Sequence, residues 1–138
     1  MIKHKQLILN GLIDYPLRKE DEARRFLNEL VKIIGMKAII EPMAKYVKAP
    51  GNRGMTAAIL IETSHIAFHI WDEEDPAKIR FDLYTCGNLD VGIVVDYLNR
   101  NLIFHEYPHW FLLDRQDSNV LVIEKNAFGV GINWKPHA

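Results

Sequence analysis

Two short apolar runs meet across a few polar residues, and that junction constrains the fold of this chain more than any other stretch. Ala57-Ala58-Ile59-Leu60-Ile61 is continuously apolar; Glu62, Thr63, Ser64 and His65 follow, and then Ile66, Phe68 and Ile70 alternate with Ala67, His69 and Trp71. Alternation of this kind is the period of a half-buried strand, so the pattern predicts two core strands joined at a tight Thr63-Ser64-His65 corner. From Phe81 to Gly87 the alternation returns and carries the chain's one cysteine, Cys86, to a strand end where Gly87 permits a sharp turn. Strict alternation places Ser64 and His69 on opposite faces of a single strand, so the two meet only if Ser64 lies in the turn rather than in the ladder. His65, His69 and Trp71 share one parity, as do Asp82, Tyr84 and Cys86 on the other strand; paired, the two strands would present one polar wall.

The rest of the chain supplies layers around that junction. Gln6 to Ile13 reads as a first strand, stopped by Asp14-Tyr15-Pro16 because proline fixes φ and aspartate favours turns. Ala23, Phe26, Leu27, Leu30, Val31 and Ile34 form one helical stripe, which predicts a helix from about Lys19 to Gly35 with Glu20, Asp21 and Glu22 at its positive end. Strand-like stretches at Ala38–Ile40 and Ala44–Val47 are separated by Pro42, and Lys48 to Gly54 reads as a loop. Asp72 to Pro76 reads as a charged, solvated turn. Val91, Val94, Val95 and Leu98 predict a second helix from about Leu89 to Asn99, capped by Asn88 or Asp90. Leu102–Phe104, Phe111–Leu113 and Val120–Ile123 read as later strands, and the tail from Lys125 carries no clear pattern. Strands followed by a helix, twice over, predict an α+β two-layer sandwich, an antiparallel sheet with helices packed on one face. With 138 residues, 49% of them hydrophobic, the chain is expected to form one domain over 1–138. The uncovered face of the sheet predicts a homodimer.

Charge and apolar content narrow the function classes. A formal net charge of -1 offers no electrostatic reason to expect nucleic acid or a membrane surface as partner. The apolar run Leu7–Ile13 is interrupted by Asn10 and Gly11 and is too short to span a bilayer. One cysteine cannot form an internal disulfide, and a cytoplasmic protein is expected. His65 and His69 with Asp82 or Cys86 would suggest a metal hydrolase, but a His-x-x-x-His pair suits one metal when helical, so no metal is expected on this strand.

Taken together, Ser64-His65-x-x-x-His69-x-Trp71 followed by Asp82-x-x-Thr85-Cys86-Gly87 resembles the prokaryotic S-adenosylmethionine decarboxylases, small pyruvoyl-dependent enzymes of polyamine and spermidine synthesis. The resemblance covers roughly residues 5 to 100. An amino-acid decarboxylase needs an electron sink that ordinary side chains lack. The resemblance implies that the sink is a pyruvoyl group derived from Ser64: its hydroxyl attacks the Thr63 carbonyl, elimination breaks the chain into 1–63 and 64–138, and hydrolysis leaves the ketone. It further implies proton transfer in processing by His69, a helper hydroxyl at Thr56, and protonation of the substrate carbanion by Cys86. Glu73 would bind the ribose of S-adenosylmethionine, and Tyr46 would stack on its base.

The motif is also altered. Thr63 stands where the family typically has glutamate directly before the cleaved serine, with Glu62 one residue further off; Asp72 replaces a proline; Asn10 replaces an expected early glutamate; and the loop before Gly54 is longer. Two alternatives therefore stay open: an unprocessed, non-catalytic homologue that binds a small ligand or partner, and a decarboxylase of another amino acid. On their own, Ser64 reads as a turn serine, His69 as a half-buried hydrogen-bonded histidine, and Cys86 as a small buried hydrophobe.

Overall fold

A computed structural model of the chain describes residues 3–116 and 119–126. Its elements are β1 (Lys5–Ile13), α1 (Glu20–Ile33), β2 (Met43–Val47), β3 (Gly54–Ile61), β4 (Ser64–Trp71), β5 (Ala77–Thr85), α2 (Val91–Leu102), β6 (His109–Asp114) and β7 (Leu121–Lys125). The strands form one antiparallel sheet in the order β2-β3-β4-β5-β1-β6-β7, so β1 is inserted between two strands that lie far later in the chain. The expected two-layer α+β arrangement is present.

Alternation decides which side of the sheet is covered. Leu7, Leu9, Met55, Ile59, Ile66, Phe68, Ile70, Ile79, Phe81 and Leu83 are buried and form one core with Ala23, Phe26, Leu27, Leu30 and Val31 of α1 and Val94, Val95 and Leu98 of α2. Phe26 meets Phe68 edge-on with ring centroids 5.5 Å apart, and Tyr97 donates its hydroxyl to the Phe26 carbonyl at 2.8 Å, which ties α2 to α1. Burying an apolar side chain of this size contributes roughly 1.5–3 kcal/mol, so this layer holds the scaffold. At Gly11 an added Cβ would lie 2.9 Å from the Phe104 ring, which explains a glycine in the middle of β1.

The opposite face consists of cross-strand rows. One row runs Thr56, His69, Arg80, Asn10, His109; the next runs Ala58, Ala67, Asp82, Ile8, Phe111; a third runs Leu60, His65, Tyr84, Gln6, Leu113. The polar wall expected from parity is therefore real. No described element covers it.

Some expected elements differ. Leu102–Phe104 is not a strand: Leu102 extends the α2 stripe one turn beyond Leu98, Ile103 ends the helix at φ 56, and Phe104 makes a single bridge with Ile13. Asn99 supports this exit, its side-chain oxygen accepting the Phe104 N–H at 3.0 Å. Ala38–Ile40 likewise yields one bridge, Ala38 to Ile61, rather than a strand. Asp90 caps α2, accepting the Ile93 N–H. Among the described residues no helix is long and apolar enough to cross a membrane. The tail beyond residue 126 lies outside the described residues.

Candidate active site

Ile61 pairs with Ser64, so the β3–β4 hairpin turns through only Glu62 and Thr63. So short a turn needs a residue at positive φ, and Thr63 takes it at φ 57. For a β-branched residue that conformation costs about 1–2 kcal/mol. The Thr63 hydroxyl donates to the Glu62 carbonyl at 2.6 Å. Ser64 is the first residue of β4 and falls on the covered side, in line with Ile66, Phe68 and Ile70, with 9% of its surface exposed.

Cys86, just past β5, holds the Thr63–Ser64 peptide bond from both sides. Its backbone N–H donates to Ser64 Oγ at 3.2 Å, and its thiol donates to the Thr63 carbonyl oxygen at 3.0 Å. A thiol aimed at that carbonyl would stabilise negative charge developing there if the hydroxyl attacked. Among the described residues no imidazole or carboxylate hydrogen-bonds the Ser64 hydroxyl. Clefts of ≈ 440 Å³ and ≈ 520 Å³ flank the corner, the second bordered by Leu60, His65, Tyr84 and Arg115 and so continuous with the polar wall. Ser64 borders both.

His69 belongs to a different place. It is exposed on the open face, its Nδ1 lies 3.1 Å from the hydroxyl of its cross-strand neighbour Thr56, and its ring lies 6.0 Å from that of Trp71. Thr56 and His69, each assigned to processing by the resemblance, are thus neighbours across the β3–β4 ladder. Ser64 and His69 are not brought together: Ser64 is in the ladder on the other face, and the five-residue step along β4 spans about 16 Å. His69 instead borders a ≈ 340 Å³ cleft with Ala67, Asn10, Arg80 and Asp82.

Glu73 borders a ≈ 370 Å³ cleft with Gly51, Trp71, Glu74, Lys78 and Arg80, and its carboxylate accepts the Arg53 N–H at 3.0 Å. Tyr46 is not among these lining residues. It lies opposite Met55 on the covered side and donates its hydroxyl to Asp72 at 2.7 Å. The aromatic surface that Glu73's cleft does offer is Trp71.

Asp72 corrects the expectation of a solvated turn. Its side chain is fully buried and accepts from Arg53 Nε at 2.8 Å, Tyr46 at 2.7 Å and Arg18 Nε at 3.4 Å, while Arg53 also donates to the Asp72 carbonyl at 2.8 Å. Burial pushes its carboxyl pKa up, but the hydrogen bonds from Arg53 and Tyr46 outweigh this and hold it below its ordinary value of 3.8. Parity was the available signal: position 72 continues the covered series 64, 66, 68, 70.

Sequence reasoning missed His4. Its Nδ1 lies 2.5 Å from the Tyr84 hydroxyl and 3.6 Å from Cys86 Sγ, across 82 residues of chain. Tyr84 stacks on His65 at 5.6 Å and lies beneath the Arg115 guanidinium at 5.0 Å. Only the insertion of β1 beside β5 brings His4 to Tyr84 and Cys86, and no local pattern signals it. Among the described residues no three His, Cys, Asp or Glu side chains form a metal-binding group.

The fold is thus a two-layer α+β sandwich in which Ser64 and Cys86 meet at one strained hairpin bond, with a bare polar sheet face beside it. Residues 8–112 match the family model described as S-adenosylmethionine decarboxylase. The chain is 32% identical over 84 residues to the S-adenosylmethionine decarboxylase proenzyme of Clostridium botulinum, covering 60% of this chain and 71% of that protein. With the proenzyme of the same name from Geobacillus kaustophilus it is 38% identical over 61 residues, covering 44% and 46% respectively. The chain belongs to the S-adenosylmethionine decarboxylase family, a family of carboxy-lyases.

Proposed function

We propose that this chain is a proenzyme that cuts itself between Thr63 and Ser64 and then decarboxylates S-adenosylmethionine, feeding polyamine (spermidine) synthesis. The carrying observation is the double grip of Cys86 on that peptide bond. Attack by the Ser64 hydroxyl on the Thr63 carbonyl would form an ester; loss of the Ser64 Cα proton would expel the Thr63 carboxylate, and hydrolysis of the residue left at 64 would release ammonia and leave a ketone. Position 64 suits such a group, being recessed, open to the clefts on either side, and flanked by the donors of Cys86. A pyruvoyl ketone there supplies the electron sink for carbon dioxide loss. Cys86, positioned at 64, holds the proton that the substrate Cα requires, a task that suits a thiol because it is a much stronger acid than an alcohol. Glu73 lies nine residues beyond position 64 at the other end of β4, roughly 30 Å away at the rise of an extended strand, so the carboxylate offered to the ribose hydroxyls, with Trp71 beside it, would come from a second copy of the chain.

A homodimer completes this proposal. The open face carries His69 and Thr56 away from the Ser64 of their own chain, and a second copy laid on that face would bring an imidazole to the corner while covering the sheet. Intact-mass measurement of the purified protein should replace the 16.0 kDa species by two fragments. Light scattering should show a dimer at micromolar concentration. Coexpression of Ser64→Ala with His69→Ala should restore cleavage of the His69→Ala chain. A protein that stays whole after long incubation refutes self-processing and leaves the ligand-binding alternative.

A further inference from the structure

Cys86 must recover its proton after each turnover, and its immediate surroundings suggest a source. His4 directly precedes β1 and is fixed at backbone level from both sides: Lys3 N–H donates to the Cys86 carbonyl at 3.1 Å, and the His4 carbonyl accepts the Arg115 N–H at 2.8 Å. Its imidazole Nδ1 is thereby held 3.6 Å from Cys86 Sγ and 2.5 Å from the Tyr84 hydroxyl, which is itself 3.9 Å from the same sulfur. Three groups that exchange protons form a closed triangle. Burial, and then the hydrogen bond with Cys86, push the Tyr84 phenol above its ordinary value of 10.0, so it stays protonated near neutral pH. His4 is only partly buried and can exchange with solvent. Its neighbours through Tyr84 are His65 and Arg115, and Lys37 and Glu62 border the cleft on the other side of the thiol.

We propose that His4, held by Tyr84, is the positioning residue that returns a proton to Cys86: imidazolium Nδ1–H passes its proton to the thiolate, and the neutral ring takes another from water. Only N–H, S–H and water O–H bonds change, and no reagent beyond water is needed. The proposal rests on the decarboxylase assignment for its purpose but not for its test. Histidine suits the task because an imidazole can both give and take up a proton near neutral pH. His4 lies outside the residues 8–112 that match the family model.

Because Cys86 is the one cysteine in the sequence, iodoacetamide reports on it directly. The Ser64→Ala protein, which cannot process, is alkylated across pH about 5 to 10 and followed by intact mass, spanning the ordinary histidine and cysteine ranges. Thiolate is the reacting species, so coupling to His4 gives a rate that climbs in two steps. His4→Gln in the same background should lose the lower step, whereas Tyr84→Phe should keep it because the Nδ1–Sγ contact is direct. Superimposable profiles with and without His4, or loss of the step only in Tyr84→Phe, overturn the proposal. In processed enzyme, His4→Gln should lower kcat about tenfold or more with KM little changed, and added imidazole should restore part of it. Unchanged kcat also overturns it. If wild type releases no carbon dioxide while the alkylation step depends on His4, the decarboxylase assignment fails and the coupling stands.

Discussion

The two ends of β4 make opposite uses of the same position. Ser64 and Asp72 both continue the covered stripe of Ile66, Phe68 and Ile70, one at each end, where apolar packing gives out. At the far end the polar group is a carboxylate met by Arg53, Tyr46 and Arg18, with α1 drawn in through the Glu20 carboxylate, which accepts the Tyr46 N–H at 2.9 Å. At the near end the polar group is a hydroxyl with one backbone donor, beside a backbone strained at Thr63. A satisfied polar group anchors structure, whereas an under-partnered one on a strained turn is free to react. The contrast separates a clamp from the corner at which cleavage is proposed.

Asp72→Asn should break the clamp and produce the largest effect, a loss of about 2 kcal/mol in urea unfolding, because it weakens a buried network whose donors remain. The share from Arg18 is small, since that side chain is mostly exposed. The pH dependence follows from the depressed carboxyl pKa. Its contribution is complete above the ordinary value of 3.8 and is lost as pH falls below it toward the lower folded value, so wild type and Asp72→Asn should converge in acid. A constant gap down to low pH would assign the loss to packing instead.

Ser64→Ala should change stability by less than about 1 kcal/mol, since one hydroxyl accepting one backbone hydrogen bond adds little to the core. Its mass should stay at 16.0 kDa. A loss as large as that of Asp72→Asn would make the near end a second clamp. The smallest effect belongs to Thr63→Gly. Glycine relieves the positive φ but gains freedom in the unfolded chain, so the net change should be under about 1 kcal/mol. Relief of strain should also slow self-cleavage, read as the fragment ratio over time. An unaltered rate would mean that the strain takes no part.

What was legible in the sequence was local. Periodicity placed the hairpin, both helices and the polar wall, because burial on one side of a strand or helix imprints a period on the residues themselves. Asp72 was misread because Asp72-Glu73-Glu74-Asp75 has the composition of a solvated turn, while its burial depends on Arg53 and Tyr46 reaching it from elsewhere in the chain. His4 was invisible for a stronger reason: its neighbours are fixed by the order of strands in the sheet, and nothing in residues 3–13 states that they lie between β5 and β6. The sequence reading put Ser64 in a Thr63-Ser64-His65 corner, where it could meet His69; the turn is instead Glu62-Thr63, Ser64 and His65 belong to the ladder, and parity keeps Ser64 and His69 on opposite faces.

The insertion of β1 gives the proposed cut a mechanical meaning. A break after residue 63 leaves β1, α1, β2 and β3 on one piece and β4 to β7 with α2 on the other. In the order β2-β3-β4-β5-β1-β6-β7 the first piece grips the second at three ladders, because β3 borders β4 while β1 borders both β5 and β6. The pieces are interleaved like the fingers of two hands, so neither can leave without stripping a central strand from two neighbours at once. The nicked protein would therefore behave as a complementing pair, parting only when the whole sheet unfolds, with the newly exposed end at position 64 held in register by a partner to which it is no longer covalently joined.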